Sequence, residues 1–128
     1  MVTRRLLIVD DEAGLLDLLR RYLRRLEYEV ETASTAEEAL SVLAARPLQF
    51  DLVIADLSLP GMNGEELIAR MRQHNPALRA MILSGYPYQP HQPGTLFLQK
   101  PFLPEALARA VAQALGEDAA GESSVAAP

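Results

Sequence analysis

Short apolar runs and amphipathic stretches alternate along this chain. Leu6 to Val9 is an unbroken apolar run, the pattern of a parallel strand buried on both faces. From Glu12 to Leu26 the apolar positions Leu15, Leu18, Leu19, Tyr22, Leu23 and Leu26 recur at helical spacing. They leave Arg20, Arg21, Arg24 and Arg25 on the other side, which predicts an amphipathic helix. Tyr28 to Ala33 alternates Tyr28, Val30 and Thr32 with Glu29 and Glu31, a half-polar strand suited to a sheet edge. Thr35 with Glu38 is a capping-box pair, and Ala36, Ala39, Leu40 and Leu43 continue it as a second helix.

Phe50 to Ala55 is a third strand, and Pro60, Gly61, Asn63 and Gly64 mark the loop after it. Leu67, Ile68 and Met71 predict a third helix, which Asn75-Pro76 stops. Leu78 to Leu83 is a fourth strand and Leu96 to Leu98 a fifth. Pro104 stands at the first position of a last helix through Leu107, Val111 and Leu115, although Leu103 is a poor cap. The rhythm asks for one more helix between the last two strands. There the chain reads "YPYQPHQP", from Tyr86 to Pro93, and Pro87, Pro90 and Pro93 each remove a helical donor. The expectation is a helix lost or cut to a turn, with Tyr86, Tyr88 and His91 exposed along an extended stretch. Strands alternating with helices imply an α/β fold: a doubly wound parallel sheet with right-handed crossovers and ligands at the carboxyl ends of its strands.

Length narrows this to one domain, because 128 residues that are 49% hydrophobic suffice for a single core. That domain spans residues 1-116; from Glu117 to Pro128 the composition turns to Gly, Ala, Ser and acidic residues and predicts a mobile tail. A formal net charge of -5 argues against a nucleic-acid surface and favours a cytoplasmic protein. Without cysteine there is neither a disulfide framework nor a thiolate metal site. The first apolar run ends at once on Asp10, Asp11 and Glu12, so it is neither a signal peptide nor a membrane span.

The strand ends carry the candidate chemistry. Asp10 and Asp11 follow strand one and Asp56 follows strand three, so the fold would bring three carboxylates to one crevice. Like charges so close need a compensating cation, and an all-oxygen set points to magnesium. Ser84 ends strand four, and Lys100, the only lysine in the chain, follows strand five. A hydroxyl and an ammonium beside a metal and carboxylates suit a phosphoryl group carried on an aspartate. Taken singly, a strand-terminal Asp is usually a turn or cap residue, and Ser84-Gly85 or Lys100-Pro101 is ordinary loop chemistry. Their coincidence at four strand ends is what carries weight.

The blocks "LLIVDDE", "DLVIADLSLPGMNG", "MILSGY" and "FLQKPF" resemble, in order, the signature blocks of the response-regulator receiver domain over about residues 4 to 115. The resemblance implies a flavodoxin-like five-stranded sheet in the order 2-1-3-4-5. It makes Asp56 the phosphoacceptor and Asp10 and Asp11 the acidic pair that organises Mg2+, with Asp11, Asp56 and the backbone carbonyl of Ser58 as ligands. Ser84 matches the hydroxyl residue that turns toward the phosphoryl group, Lys100 the family lysine, and Pro101 the often cis proline after it. Phe97 falls at the aromatic switch position, where an ordinary buried strand residue is the plain alternative. Ser58 and Tyr86 lie where side chains tune phosphoryl lifetime, Tyr86 either shielding the group or facing solvent. The implied partner is a histidine kinase or histidine phosphotransfer protein docking on the first helix. The implied role is a phosphorelay switch with self-directed phosphotransfer and autodephosphorylation.

The link after "SGY" also resembles receivers at the C-terminal end of hybrid histidine kinases, so a stand-alone protein and such a module both fit. Three rivals remain open. An aspartate-nucleophile phosphatase would need a second Asp where Ser58 stands, and a nucleotide-binding module would need a Gly-rich loop after strand one. A non-phosphorylated receiver-like interaction domain would not need all five site residues.

Overall fold

The computed structural model describes residues 3–117. In chain order these form β1 (Arg5–Val9), α1 (Ala13–Arg25), β2 (Glu29–Ala33), α2 (Ala36–Ala45), β3 (Leu52–Asp56), α3 (Gly64–His74), β4 (Arg79–Ser84), β5 (Thr95–Gln99) and α4 (Pro104–Ala114). All strands are parallel, in the order β2-β1-β3-β4-β5. The doubly wound sheet and its strand order are therefore as predicted, and no helix separates β4 from β5.

The period-two alternation of each strand divides the core. Leu7, Val9, Val53, Ala55, Ala80 and Ile82 face Leu43, Leu67, Ile68 and Met71 of α2 and α3. The interleaved Leu6, Ile8, Leu52, Ile54, Met81 and Leu83 face Leu19, Leu23, Leu107 and Val111 of α1 and α4. β1 and β3 lie between covered faces, which is why their sequences are apolar throughout. Each fully buried Leu or Ile contributes about 1.5–3 kcal/mol, so these two layers dominate the stability.

Local sequence sets the element ends. Thr35 Oγ1 accepts from the Glu38 N–H at 3.0 Å, and the Glu38 carboxylate accepts from the Ser34 N–H at 2.9 Å, close to the reciprocal box the spacing predicts. Asn63 Oδ1 accepts from the Glu66 N–H at 2.8 Å and starts α3. Leu103 makes no side-chain cap; Pro104 alone marks the start of α4. α1 and α4 end alike: Tyr28 N–H donates to Leu23 O at 3.3 Å, and Glu117 N–H to Ala112 O at 2.8 Å. The left-handed residue between is Gly116 (φ 70°) in α4 but Glu27 (φ 73°) in α1.

Two expectations need correction. Glu117, the first residue of the expected tail, is tied to the domain: Tyr28 Oη donates to its Oε1 at 3.1 Å and Arg4 Nε to its Oε2 at 3.3 Å. Its carboxylate finds two donors at the far pole of the sheet, which residue composition could not show. The rest of the proposed tail lies outside the described residues. Tyr88, which the proline spacing puts on the surface, is instead partly buried, packed against Phe97 with its hydroxyl donating to Glu65. With no helix over that face of β5, its ring fills part of the gap.

Candidate functional site

Parallel register brings the carboxyl ends of β1, β3, β4 and β5 to one edge of the sheet. Asp10, the first residue past β1, is buried and donates its own N–H to Ala33 O at 3.2 Å. Its Oδ1 accepts from the Glu12 N–H at 2.9 Å, a local turn that also sets the entry to α1. Asp56 ends β3 and is 8% exposed, while Asp11 is open to solvent. Carboxylate oxygens of Asp10, Asp11 and Asp56 lie within 4.8 Å of one another.

Lys100 reaches this cluster from the end of β5. Its N–H donates to Ser84 O at 2.8 Å, extending the β4–β5 ladder by one step, and the following peptide to Pro101 is cis. Its Nζ lies 3.1 Å from Asp10 Oδ2 and 3.0 Å from Asp56 Oδ1, bridging two strand ends. Burial by itself would pull the ammonium pKa down, but the hydrogen bonds it donates to Asp56 and Asp10 and their charges outweigh it and hold the pKa above its usual value. Burial pushes the Asp10 carboxyl up, against the opposing pull of the Glu12 N–H and Lys100. One ammonium thus offsets part of the charge of three carboxylates, and the remaining negative charge and all-oxygen donor set fit a hard divalent cation.

Gly64 holds the phosphoacceptor candidate from below. A Cβ added there would lie 2.5 Å from the backbone oxygen of Asp56. The glycine lets the first turn of α3 press against the end of β3, with Gly64 N–H donating to Leu57 O at 2.9 Å. In sequence Gly64 reads as loop punctuation, and nothing in one chain distinguishes it from Gly61.

Residues 6–112 match the family described as response regulator receiver domain. The chain belongs to this family. The receiver domain is 38% identical over 120 residues to the transcriptional regulatory protein GlrR of Escherichia coli (strain K12), covering 89% of this chain and 27% of that protein. It is 33% identical over 87 residues to sporulation initiation phosphotransferase F of Bacillus subtilis (strain 168), covering 67% of this chain and 68% of that protein. It spans only 18% of the two-component response regulator ARR14 of Arabidopsis thaliana, at 43% identity over 67 residues, 52% of this chain. Among solved structures, the receiver domain from the hybrid histidine kinase CckA superposes with a TM-score of 0.80 at 35% identity, covering 87% of this chain and 98% of that one. The response regulator protein TrrA from Thermotoga maritima, solved in complex with Mg(2+)-BeF, gives 0.77 at 29% identity, covering 88% and 100%.

The remaining residues singled out in the sequence of this receiver domain fall as follows. Ser84 is buried at the end of β4, its Oγ accepting from the Tyr86 N–H at 3.1 Å. Phe97 lies partly buried on β5 with the Tyr88 ring 6.3 Å away, edge-on. Ser58 is exposed in the loop after β3, and Tyr86 is 74% exposed, facing solvent rather than packed over the site. Glu65, which the sequence offers only as a first-turn helix carboxylate, gathers the proline segment. It accepts from the Tyr88 hydroxyl, the His91 N–H at 3.1 Å and Gln92 Nε2 at 2.8 Å. No residue spacing could announce that role.

Proposed function

We propose that this receiver domain takes a phosphoryl group from a partner phosphohistidine onto Asp56, with Mg2+ held by Asp10, Asp11, Asp56 and the Ser58 carbonyl. The observation that carries it is the Lys100 ammonium, 3.0 Å from Asp56 and 3.1 Å from Asp10 in a three-carboxylate crevice. In the transfer an Asp56 carboxylate oxygen bonds to phosphorus as the bond from phosphorus to the donor imidazole nitrogen breaks, leaving its electron pair on the imidazole. Lys100 pairs as a point charge with the phosphoryl oxygens, and the Ser84 hydroxyl donates to them. Magnesium, when bound, offsets charge on the acidic cluster and on the transferred group. Hydrolysis of the acyl phosphate returns free Asp56. The TrrA complex with Mg(2+)-BeF, in a relative of the same fold, supports this reading.

Beside Lys100 an apolar hollow of about 330 Å3 opens between α1 and the start of α4, lined by Leu15, Leu18, Leu19, Tyr22, Phe102 and Leu107. Leu18 is 63% exposed on its rim. This is where the helix bearing the phosphohistidine docks, from a histidine kinase or histidine phosphotransfer protein. Ser84 and Phe97 then report the phosphoryl group to the surface of β5. The domain serves either alone or as the C-terminal receiver of a hybrid histidine kinase.

Intact-mass measurement with a small-molecule phosphodonor and Mg2+ tests the assignment. One phosphoryl adduct is expected on the wild type and none on Asp56→Asn. An unmodified wild type, or an equally modified variant, would remove Asp56 from its role.

A further inference from the structure

The proline segment cannot satisfy its polar groups with helical hydrogen bonds, so it must borrow partners. It borrows them at three places. At its near end the Tyr86 N–H donates to Ser84 Oγ at 3.1 Å, directly on the site hydroxyl. At its middle the Glu65 carboxylate takes the Tyr88 hydroxyl, the His91 N–H and the Gln92 amide, and Glu65 O accepts a further bond from Gln92 Nε2 at 2.9 Å. At its far end Arg72 donates to Gln92 Oε1 at 3.3 Å and, just past the segment, to Gly94 O and Thr95 Oγ1, both at 2.9 Å; the same guanidinium is fixed on Leu78 O at 3.0 Å. Glu65 and Arg72 stand two turns apart on one face of α3. Glu66 is turned away, paired with Arg70 at 3.0 Å.

We propose that Glu65 is the latch of this switch: it holds the 86–93 segment on α3, and through the Tyr88 ring it holds Phe97, until the site draws the segment away. The proposal rests on the reading that Ser84 and Phe97 report a phosphoryl group on Asp56. Its mechanical basis is the short path between the two anchors. Between Ser84 and Tyr88 lie only Gly85, Tyr86 and Pro87, and the fixed φ of Pro87 removes one of the few torsions that could absorb a displacement of Tyr86 before it reaches Tyr88. Tyr88 packs on Phe97, so a shift of that ring on β5 repacks Tyr88 and strains its bond to Glu65. Burial pushes the Glu65 carboxyl up, but the hydrogen bonds from Tyr88, His91 and Gln92 together outweigh it, so Glu65 is held below the usual carboxylate range and stays charged near neutrality. A charged acceptor for several donors is a strong anchor at one point and is lost as a unit. By linkage, whatever the latch costs the phosphorylated state, phosphorylation costs the latch.

The experiment reads amide exchange at His91 by NMR, with and without a small-molecule phosphodonor and Mg2+, and intact mass on the same samples. In the wild type, phosphorylation is expected to speed His91 exchange on the order of tenfold, the effect of losing a charge-assisted hydrogen bond. Glu65→Ala should exchange at that fast rate without donor and reach a higher phosphorylated fraction at equal donor concentration. Tyr88→Phe keeps the ring on Phe97, leaves α3 untouched and removes one of the bonds to Glu65, so if the first variant fails to fold it should still raise the phosphorylated fraction, by less. An adduct on the wild type with His91 exchange unchanged overturns the latch and leaves Asp56 as phosphoacceptor. Variants whose phosphorylated fraction is equal or lower do the same. A wild type that takes no adduct overturns the phosphoacceptor reading, and the latch falls with it.

Discussion

Tyr28 and Glu117 show how a single pair can tie the entry of β2 to the residue that closes α4. Burial, then the charge of Glu117 and the hydrogen bond to it, push the Tyr28 hydroxyl up to about 12. The folded protein therefore holds this proton more tightly than the unfolded chain, whose tyrosines titrate near 10. The bond stabilises fully below that ordinary value and its contribution is lost as the pH rises through about 12. A phenolate absorbance titration should show a late step that Tyr28→Phe removes and Glu117→Gln moves to lower pH; an unchanged curve in Glu117→Gln would leave burial as the whole cause. Lys100 and Asp56 are legible in the sequence as members of a set, because a carboxylate or an ammonium at one strand end is ordinary and their coincidence at several strand ends is not. Glu117 and Glu65 were not legible, since each looks like one more surface carboxylate until its donors, drawn from distant parts of the chain, are placed around it.

At the scale of elements, the two matched helix ends offer a natural comparison. Both place a residue in the left-handed region between the same pair of closing hydrogen bonds, yet α4 uses Gly116 and α1 uses Glu27. A side chain there crowds its own carbonyl, at a cost of roughly 1–2 kcal/mol, part of which a glycine returns as unfolded-state entropy. Glu27→Gly should therefore raise stability by about 0.5–1 kcal/mol in urea denaturation. A loss would mean that the Glu27 side chain stabilises in some way its exposure does not suggest. Strand and helix order was readable from apolar periodicity because each element must bury one face. Element ends were readable wherever a side chain makes the cap, as at Thr35, and not where backbone geometry does, as at Glu27. The bounds of β3 differ for a related reason. Phe50 is buried and apolar like a strand residue, but Asp51 closes the start of the ladder, its Oδ2 accepting from the Arg5 N–H at 2.9 Å.

For the whole molecule, binding at one end of the sheet is linked to global stability. Asp10, Asp11 and Asp56 come from two different strand ends, so a cation held among them binds the folded chain and not the unfolded one. Magnesium at a hundredfold excess over its Kd would add about 2.7 kcal/mol, a rise of several degrees in Tm. Asp11→Ala should lose most of that rise, and an equal rise in the variant would displace Asp11 from the ligand set. Sequence by itself determined the element order, the two-faced core and the chemical types at the strand ends, because periodicity and residue chemistry are local properties. It also determined that no helix would form across Pro87, Pro90 and Pro93, since proline removes the helical donor wherever it stands. Tertiary structure alone decided what the segment does instead. Its donors find Glu65 and its far end finds Arg72, both on a helix that precedes it by two elements, and its Tyr88 ring settles on Phe97. Those partners are chosen by closeness in space, which a linear pattern does not carry.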